Sequence, residues 1–185
     1  MQIPSELKKS IDASMFVSFD IFDTLILRNV YHFNDVFVVV AEAARRSYGL
    51  DCPDFLNRRV AAEMRARKIR ESSAGTREVD LDQIYEVFVE HDGLSSADAE
   101  VLKKLELEFE RRFCCVNPFM HAVYDYCRKK GKRIGIVSDM YLPQPFLENV
   151  LKAAGYEGYE FFLLSNACVK RKRDGSIFPL LIEKA

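Results

Sequence analysis

Three short β-favouring runs, Met15–Phe19, Arg133–Val137 and Glu160–Leu164, are distributed very unevenly along the chain, and between the first two lies a long stretch of helical periodicity. Strand signals that resume in alternation with helices after such a gap indicate an α/β domain with a parallel sheet and a helical insertion. The insertion reads as four helices. Asn34 can cap the first, whose apolar face is Val36, Phe37, Val40, Ala41 and Ala44, and Gly49 can stop it. A second covers about 54–72, before a loop at 72–76. Asp80 with Gln83, and Ser95 with Asp98, form cap-like pairs ahead of two further apolar stripes. Asn117 and Pro118 then start a helix that Gly131 ends, a helix over 144–154 stops at Gly155, and a last one starts near Ile177. The division is therefore 1–32 and 115–185 for the α/β core and 33–114 for the helical insert. Hinges are expected at 27–33 and 116–118.

Charge excludes some functions. In 185 residues, 27 Lys and Arg oppose 28 Asp and Glu, so no global field favours nucleic acid or an anionic membrane. No apolar run reaches the length of a membrane span, and the amino end lacks the apolar core of a signal peptide, so the chain reads as cytoplasmic without membrane insertion. The five cysteines, Cys52, Cys114, Cys115, Cys127 and Cys168, lack the spacing of a zinc site and read as reduced.

The carboxyl ends of parallel strands converge on one crevice. Here they deliver Asp20, Ser138 and the 165–176 loop with its run Lys170, Arg171, Lys172 and Arg173. A carboxylate at a strand end can serve as nucleophile and as a hard oxygen ligand for Mg²⁺. A hydroxyl and a fixed cation beside it suit the neutralisation that phosphoryl transfer requires. Taken singly these residues have plainer readings: a turn cap for Asp20, a helix-capping turn for Ser138 and Asp139, a solvated loop for the basic run. The basic stretch Arg65, Arg67, Lys68 and Arg70 likewise reads as a solvated helix face.

As an ordered set, Phe19-Asp20-Ile21-Phe22-Asp23-Thr24-Leu25, Ile136 to Pro143 with its Ser138-Asp139-Met140-Tyr141-Leu142-Pro143, and Lys172 to Phe178 resemble the first three motifs of the haloacid dehalogenase (HAD) superfamily. The DIFDT and SDMYLP signatures are similar to those of a branch that accompanies glycosyltransferases in bacterial surface-polysaccharide gene clusters. The resemblance, over about 15–185, implies a Rossmann-like core with an inserted α-helical cap and a Mg²⁺-dependent phosphohydrolase or phosphotransferase. Its substrate would be a small phosphorylated metabolite, attacked to give an aspartyl-phosphate intermediate. By position, Asp20 would be nucleophile and metal ligand, with the backbone carbonyl of Phe22 as a second ligand. Ser138 would hold a phosphoryl oxygen and Lys172, rather than its competitor Lys170, would stabilise the charge. Thr24 and Asp139 would lie at the bound substrate.

Two departures accompany the resemblance. The family's phosphatases carry an aspartate two positions after the nucleophile to protonate the leaving oxygen, and this chain has Phe22 there. Asp23 could substitute as acid/base only if the loop bends it inward, since strand alternation points it elsewhere. A good leaving group such as an acyl phosphate would need that proton less. The fourth motif, an acidic pair after a further strand, is not reached by Ala185. Either the chain is a fragment truncated at its carboxyl end, which is the reading taken, or its site lacks a ligand. The contrasting function is a non-catalytic HAD-like structural or interaction domain of a larger glycosyltransferase-associated protein. A dehalogenase, which also carries an aromatic residue in place of the second aspartate, is the enzymatic variant.

Overall fold

A computed structural model describes residues 2–185. In chain order its elements are α1 (Ser5–Ala13), β1 (Phe16–Phe19), β2 (Ile26–Arg28), α2 (Asp35–Tyr48), α3 (Phe55–Ala74), α4 (Leu81–Asp92), α5 (Ser96–Phe113), β3 (Cys114–Val116), α6 (Pro118–Lys129), β4 (Arg133–Ser138), α7 (Gln144–Ala153), β5 (Phe161–Leu164), α8 (Ser165–Cys168) and α9 (Phe178–Lys184). They form two compact units. One comprises the chain up to Arg28, Cys114–Met140 and Gln144–Ala185; the other comprises Asn29–Phe113 with Tyr141–Pro143.

The first unit is α/β. Its sheet has the order β1-β4-β5, parallel throughout, with Phe19 opposite Ile136 and Ser138 opposite Leu164. The central position of β4 explains why Ile134 through Ser138 are all buried. β1 has one ladder partner and is less buried than its apolar composition suggests: Phe19 is enclosed, Phe16 and Val17 are half-buried and Ser18 is exposed. The rings of Phe16 and Phe161 stack across the sheet with centroids 5.5 Å apart. They close over Gly135, where a Cβ would lie 2.5 Å from the Phe161 ring, so only glycine fits beneath them.

Three elements of this unit carry too weak a pattern for the sequence to signal them. Helix α1 has a single buried residue, Ile11. Strands β2 and β3 form a three-residue antiparallel ladder, Ile26–Arg28 against Cys114–Val116, at positions that the sequence reading gives partly to hinges. Cys114 and Cys115 are strand residues, the first half-buried and the second exposed. Helix α6 starts as its sequence indicates: Asn117 Oδ1 accepts from the amides of Phe119 and Met120, and Pro118 is at the first helical position.

The second unit is helical, built on α2 to α5. Val36, Phe37 and Val40 of α2, Phe55 of α3, Ile84 and Phe88 of α4 and Leu102 of α5 are buried. The capping box of Asp80 and Gln83 is formed in both directions. Asn34 makes no side-chain cap. Instead the Asp35 carboxylate accepts from the His32 amide at 2.7 Å and His32 Nδ1 accepts from the Asn34 amide, which closes the turn ahead of α2. This core also encloses an ion pair: Arg59 donates to both carboxylate oxygens of Glu106 at 2.9 and 2.7 Å, with neither side chain exposed. Tyr85 donates to the same carboxylate at 2.8 Å, and the Arg59 guanidinium lies 5.0 Å from the Tyr141 ring.

Candidate active site

The parallel register of β1, β4 and β5 places their carboxyl ends along one edge of the sheet. Asp20 follows β1 directly, Ser138 is the last residue of β4 and is buried, and Ser165 opens α8 directly after β5. The backbone turns sharply beyond Asp20. The Ile21 carbonyl accepts from the amides of Thr24 and Ile26, the Ile26 carbonyl accepts from that of Asp23, and Asp23 adopts φ +56°. Aspartate tolerates this left-handed conformation better than most residues. Asp23 is exposed on this turn, so simple strand alternation does not describe its direction. The loop is fixed from outside as well. Asn117 Nδ2 donates to the Thr24 carbonyl at 2.8 Å, and the buried Tyr156 hydroxyl donates to that of Leu25 at 2.8 Å.

Among the groups singled out from sequence, Asp20 and Lys172 are in direct contact. Lys172 Nζ lies 2.7 Å from Asp20 Oδ2, while Asp20 Oδ1 accepts from the Ile21 amide at 2.8 Å. Lys172 Nζ also lies 3.5 Å from the Val137 carbonyl, one residue before Ser138. One cation thereby connects the ends of β1 and β4. The pair remains accessible, with the lysine 29% and the aspartate 39% exposed. Asp139 is exposed, and both of its carboxylate oxygens accept from the Lys172 amide, at 3.0 and 2.9 Å. Lys170, the competing lysine, donates its amide to the Ser165 carbonyl.

Three features escaped the sequence reading. The buried Ser165 hydroxyl accepts from the Met140 amide at 3.2 Å and thereby connects the segments after β4 and β5. The Arg28 guanidinium lies 4.0 Å from the ring of Phe22, a cation–π contact between β2 and the loop after Asp20. The basic run carries its own counter-charge: Asp174 accepts from Arg171 Nε at 2.7 Å and from the Ser176 amide at 3.0 Å. These bonds, the Arg171 one foremost, hold the Asp174 carboxyl well below the usual carboxylate range. Serine at a strand end and aspartate within four residues of arginine were visible as letters; their pairing depends on the loop path.

The chain matches no protein-family model and no curated protein sequence. Solved structures give the decisive comparison. It is similar to a dehalogenase solved as an intermediate complex, at 13% identity and TM-score 0.54, over 92% of this chain and 70% of that one. It is similar to a 2-haloacid dehalogenase from Pseudomonas syringae pv. Tomato DC3000, at 14% identity and TM-score 0.51, over 83% and 64%. YfnB of Bacillus subtilis, classed as a HAD-hydrolase and bound to magnesium, gives 11% identity and TM-score 0.51, over 81% and 64%. The chain has the Rossmann-like fold of the HAD hydrolases. It spans 64% of the length of two of these structures and 70% of the third. Among the described residues, no helix is long and apolar enough to cross a membrane.

Proposed function

We propose that this chain carries a HAD-type phosphohydrolase or phosphotransferase site that acts on a small phosphorylated metabolite, with Asp20 as nucleophile. The observation that carries the proposal is the Lys172–Asp20 contact of 2.7 Å at the carboxyl edge of a parallel sheet. A carboxylate in contact with a fixed ammonium is held in one orientation, as in-line attack on phosphorus requires. In the first step an Asp20 oxygen bonds to phosphorus and the bond to the leaving oxygen breaks. In the second, water attacks the phosphorus of the aspartyl phosphate, releasing phosphate and regenerating the carboxylate; an acceptor hydroxyl in place of water gives transfer. Lys172 offsets the negative charge in both steps, and the Ser138 hydroxyl holds a phosphoryl oxygen. Thr24 lies at the phosphate. In this reading 1–32 and 115–185 are the catalytic core and 33–114 the cap.

Magnesium fits the donors present. Among the described residues no cluster of three or more His, Cys, Asp and Glu is poised for a metal. Mg²⁺ is nevertheless commonly held by one or two carboxylates together with waters and substrate phosphate. The Asp20 carboxylate and the Phe22 backbone carbonyl would supply the protein's oxygens. When bound, the ion neutralises charge on the transferring phosphoryl group.

Phe22 offers no proton to a leaving oxygen, and Asp23 lies on the exposed turn. Good leaving groups, such as acyl phosphates, therefore suit the site best. A cytoplasmic location and a glycosyltransferase partner belong to the same proposal, and the second rests on the motif resemblance alone. The test is the melting temperature with Mg²⁺ and beryllofluoride, a phospho-aspartate mimic, for the native chain and Asp20→Asn. Saturating ligand should raise it by about 5–10 °C in the native chain and leave the variant unchanged. No rise in either would overturn the phosphoryl-site reading in favour of a non-catalytic module; turnover of a 2-haloacid without metal would instead assign dehalogenation.

A further inference from the structure

The resemblance places Asp139 at the substrate, yet its carboxylate points to the chain's own backbone. Two oxygens 3.0 and 2.9 Å from one amide nitrogen straddle the N–H of Lys172. Asp139 directly follows Ser138, whose strand is laddered on both sides, to β1 and to β5, so the carboxylate projects from the most firmly held edge of the sheet. The basic loop is otherwise organised largely on itself. Arg171 donates its amide to Ser176 Oγ, Gly175 donates to the Lys172 carbonyl, and Asp174 bonds Arg171 and Ser176. Those bonds give the loop its shape, and at its far end the buried Ile177 packs with Val137 of β4 and Leu163 of β5. At Lys172 itself, the backbone contact with the end of β4 is the Asp139 carboxylate. The Val137 carbonyl, from the same strand, lies 3.5 Å from the other end of the same side chain.

We propose that Asp139 is a positioning residue: its carboxylate holds the Lys172 amide against the end of β4, and so holds Lys172 Nζ on Asp20. This rests on the reading of Asp20 and Lys172 as the reacting pair. A lysine side chain has several rotatable bonds, and a backbone anchored at one end with a polar contact at the other leaves few of its rotamers available. The carboxylate also supplies an anion to a loop with four consecutive cations, Lys170 to Arg173. A charge-assisted bond to a backbone amide fixes both the charge and the direction.

The test is the acetylation rate of each lysine of the full chain with acetic anhydride at pH 8, resolved by mass spectrometry, in the native protein, Asp139→Ala, Asp139→Asn and Asp20→Asn. An amine paired with a carboxylate is shielded. Asp139→Ala should therefore raise the Lys172 rate about fivefold relative to Lys152, an exposed lysine on α7, as expected for losing one hydrogen bond to a charged group in a partly solvated site. Asp139→Asn keeps an acceptor oxygen and should restore most of the protection. An increase in Asp20→Asn with none in Asp139→Ala would overturn the positioning role and leave the Asp20–Lys172 pair standing. No increase in either would remove the pair and the positioning role together. A uniform increase over all lysines in Asp139→Ala would make Asp139 a general stability residue and equally overturn the proposal.

Discussion

The two units each contain an ion pair between a basic side chain and a carboxylate, and the pairs differ in what surrounds them. Arg59 and Glu106 in the helical unit are both 0% exposed, joined by two bonds and supported by the Tyr85 hydroxyl. Lys172 and Asp20 in the α/β unit share one contact of 2.7 Å and are 29% and 39% exposed. Burial pushes the Tyr85 and Tyr141 hydroxyls well above the ordinary tyrosine range, with the Glu106 carboxylate adding to the effect. Those hydroxyls stay protonated at neutral pH. Arginine suits the enclosed position because its planar fork satisfies both carboxylate oxygens; lysine suits the open one as a compact cation that can follow charge. Burial thus separates a pair that specifies packing from a pair that a ligand can enter.

The largest expected effect concerns the enclosed pair. Removing one partner by Arg59→Met leaves Glu106 uncompensated in the core, and Glu106→Gln leaves Arg59 its longer ion pair with Glu63, at 3.4 Å; the first should cost about 3–5 kcal/mol in urea unfolding and the second somewhat less. Replacing both, as Arg59→Met with Glu106→Leu, should recover much of that loss, because two desolvated charges are removed together. A loss below about 1 kcal/mol for either single variant would erase the distinction between the two pairs.

The enclosed pair also shows where sequence reading ends. The alternation of strand and helix, the glycine stops at Gly49, Gly131 and Gly155, the Asp80–Gln83 box and the Asn117–Pro118 start follow from local chemistry, and they appear in the structure. The side chains that meet in space do not follow from local chemistry. Arg59 and Glu106 fall within helical stretches of mixed charge where a solvated face is the plain reading; only the packing of α3 against its neighbours reveals a buried guanidinium. Strands of three residues, such as β2 and β3, are too short for a periodic signal. At the site, the strand-end positions of Asp20 and Ser138 were legible. The Asp139 bond to Lys172 was not, because it joins positions 33 residues apart through a loop whose course no local rule sets.

The open pair should behave in the opposite way under substitution. Lys172→Met should change unfolding stability by no more than about 1 kcal/mol, the range of partly exposed ion pairs. It should nevertheless abolish the beryllofluoride response proposed for the native chain, since the charge that meets the ligand is gone. A stability loss as large as that of Arg59→Met would make Lys172 a packing residue, and the contrast between the units would fail.

The smallest effect sharpens the contrast within the basic loop. Asp174 is exposed, yet its carboxyl lies well below the ordinary aspartate value of 3.8, with the Arg171 hydrogen bond as the first cause and the Ser176 bonds as the next. A folded-state value lower than the unfolded one means that the ionised carboxylate favours the folded loop. That contribution is fully present above the ordinary aspartate value, and is lost only as pH falls through the lowered folded one. The Ser176 amide, which donates to Asp174 Oδ1 at 3.0 Å, reports it directly. Its proton chemical shift should stay level from pH 7 to below 3.8, and move only in stronger acid. Titration of the Ser176 amide near the ordinary aspartate value would show that Asp174 gains nothing from its partners. The loop would then depend on Asp139 and Asp20 for its counter-charge, a stronger demand on the open pair than its exposure allows.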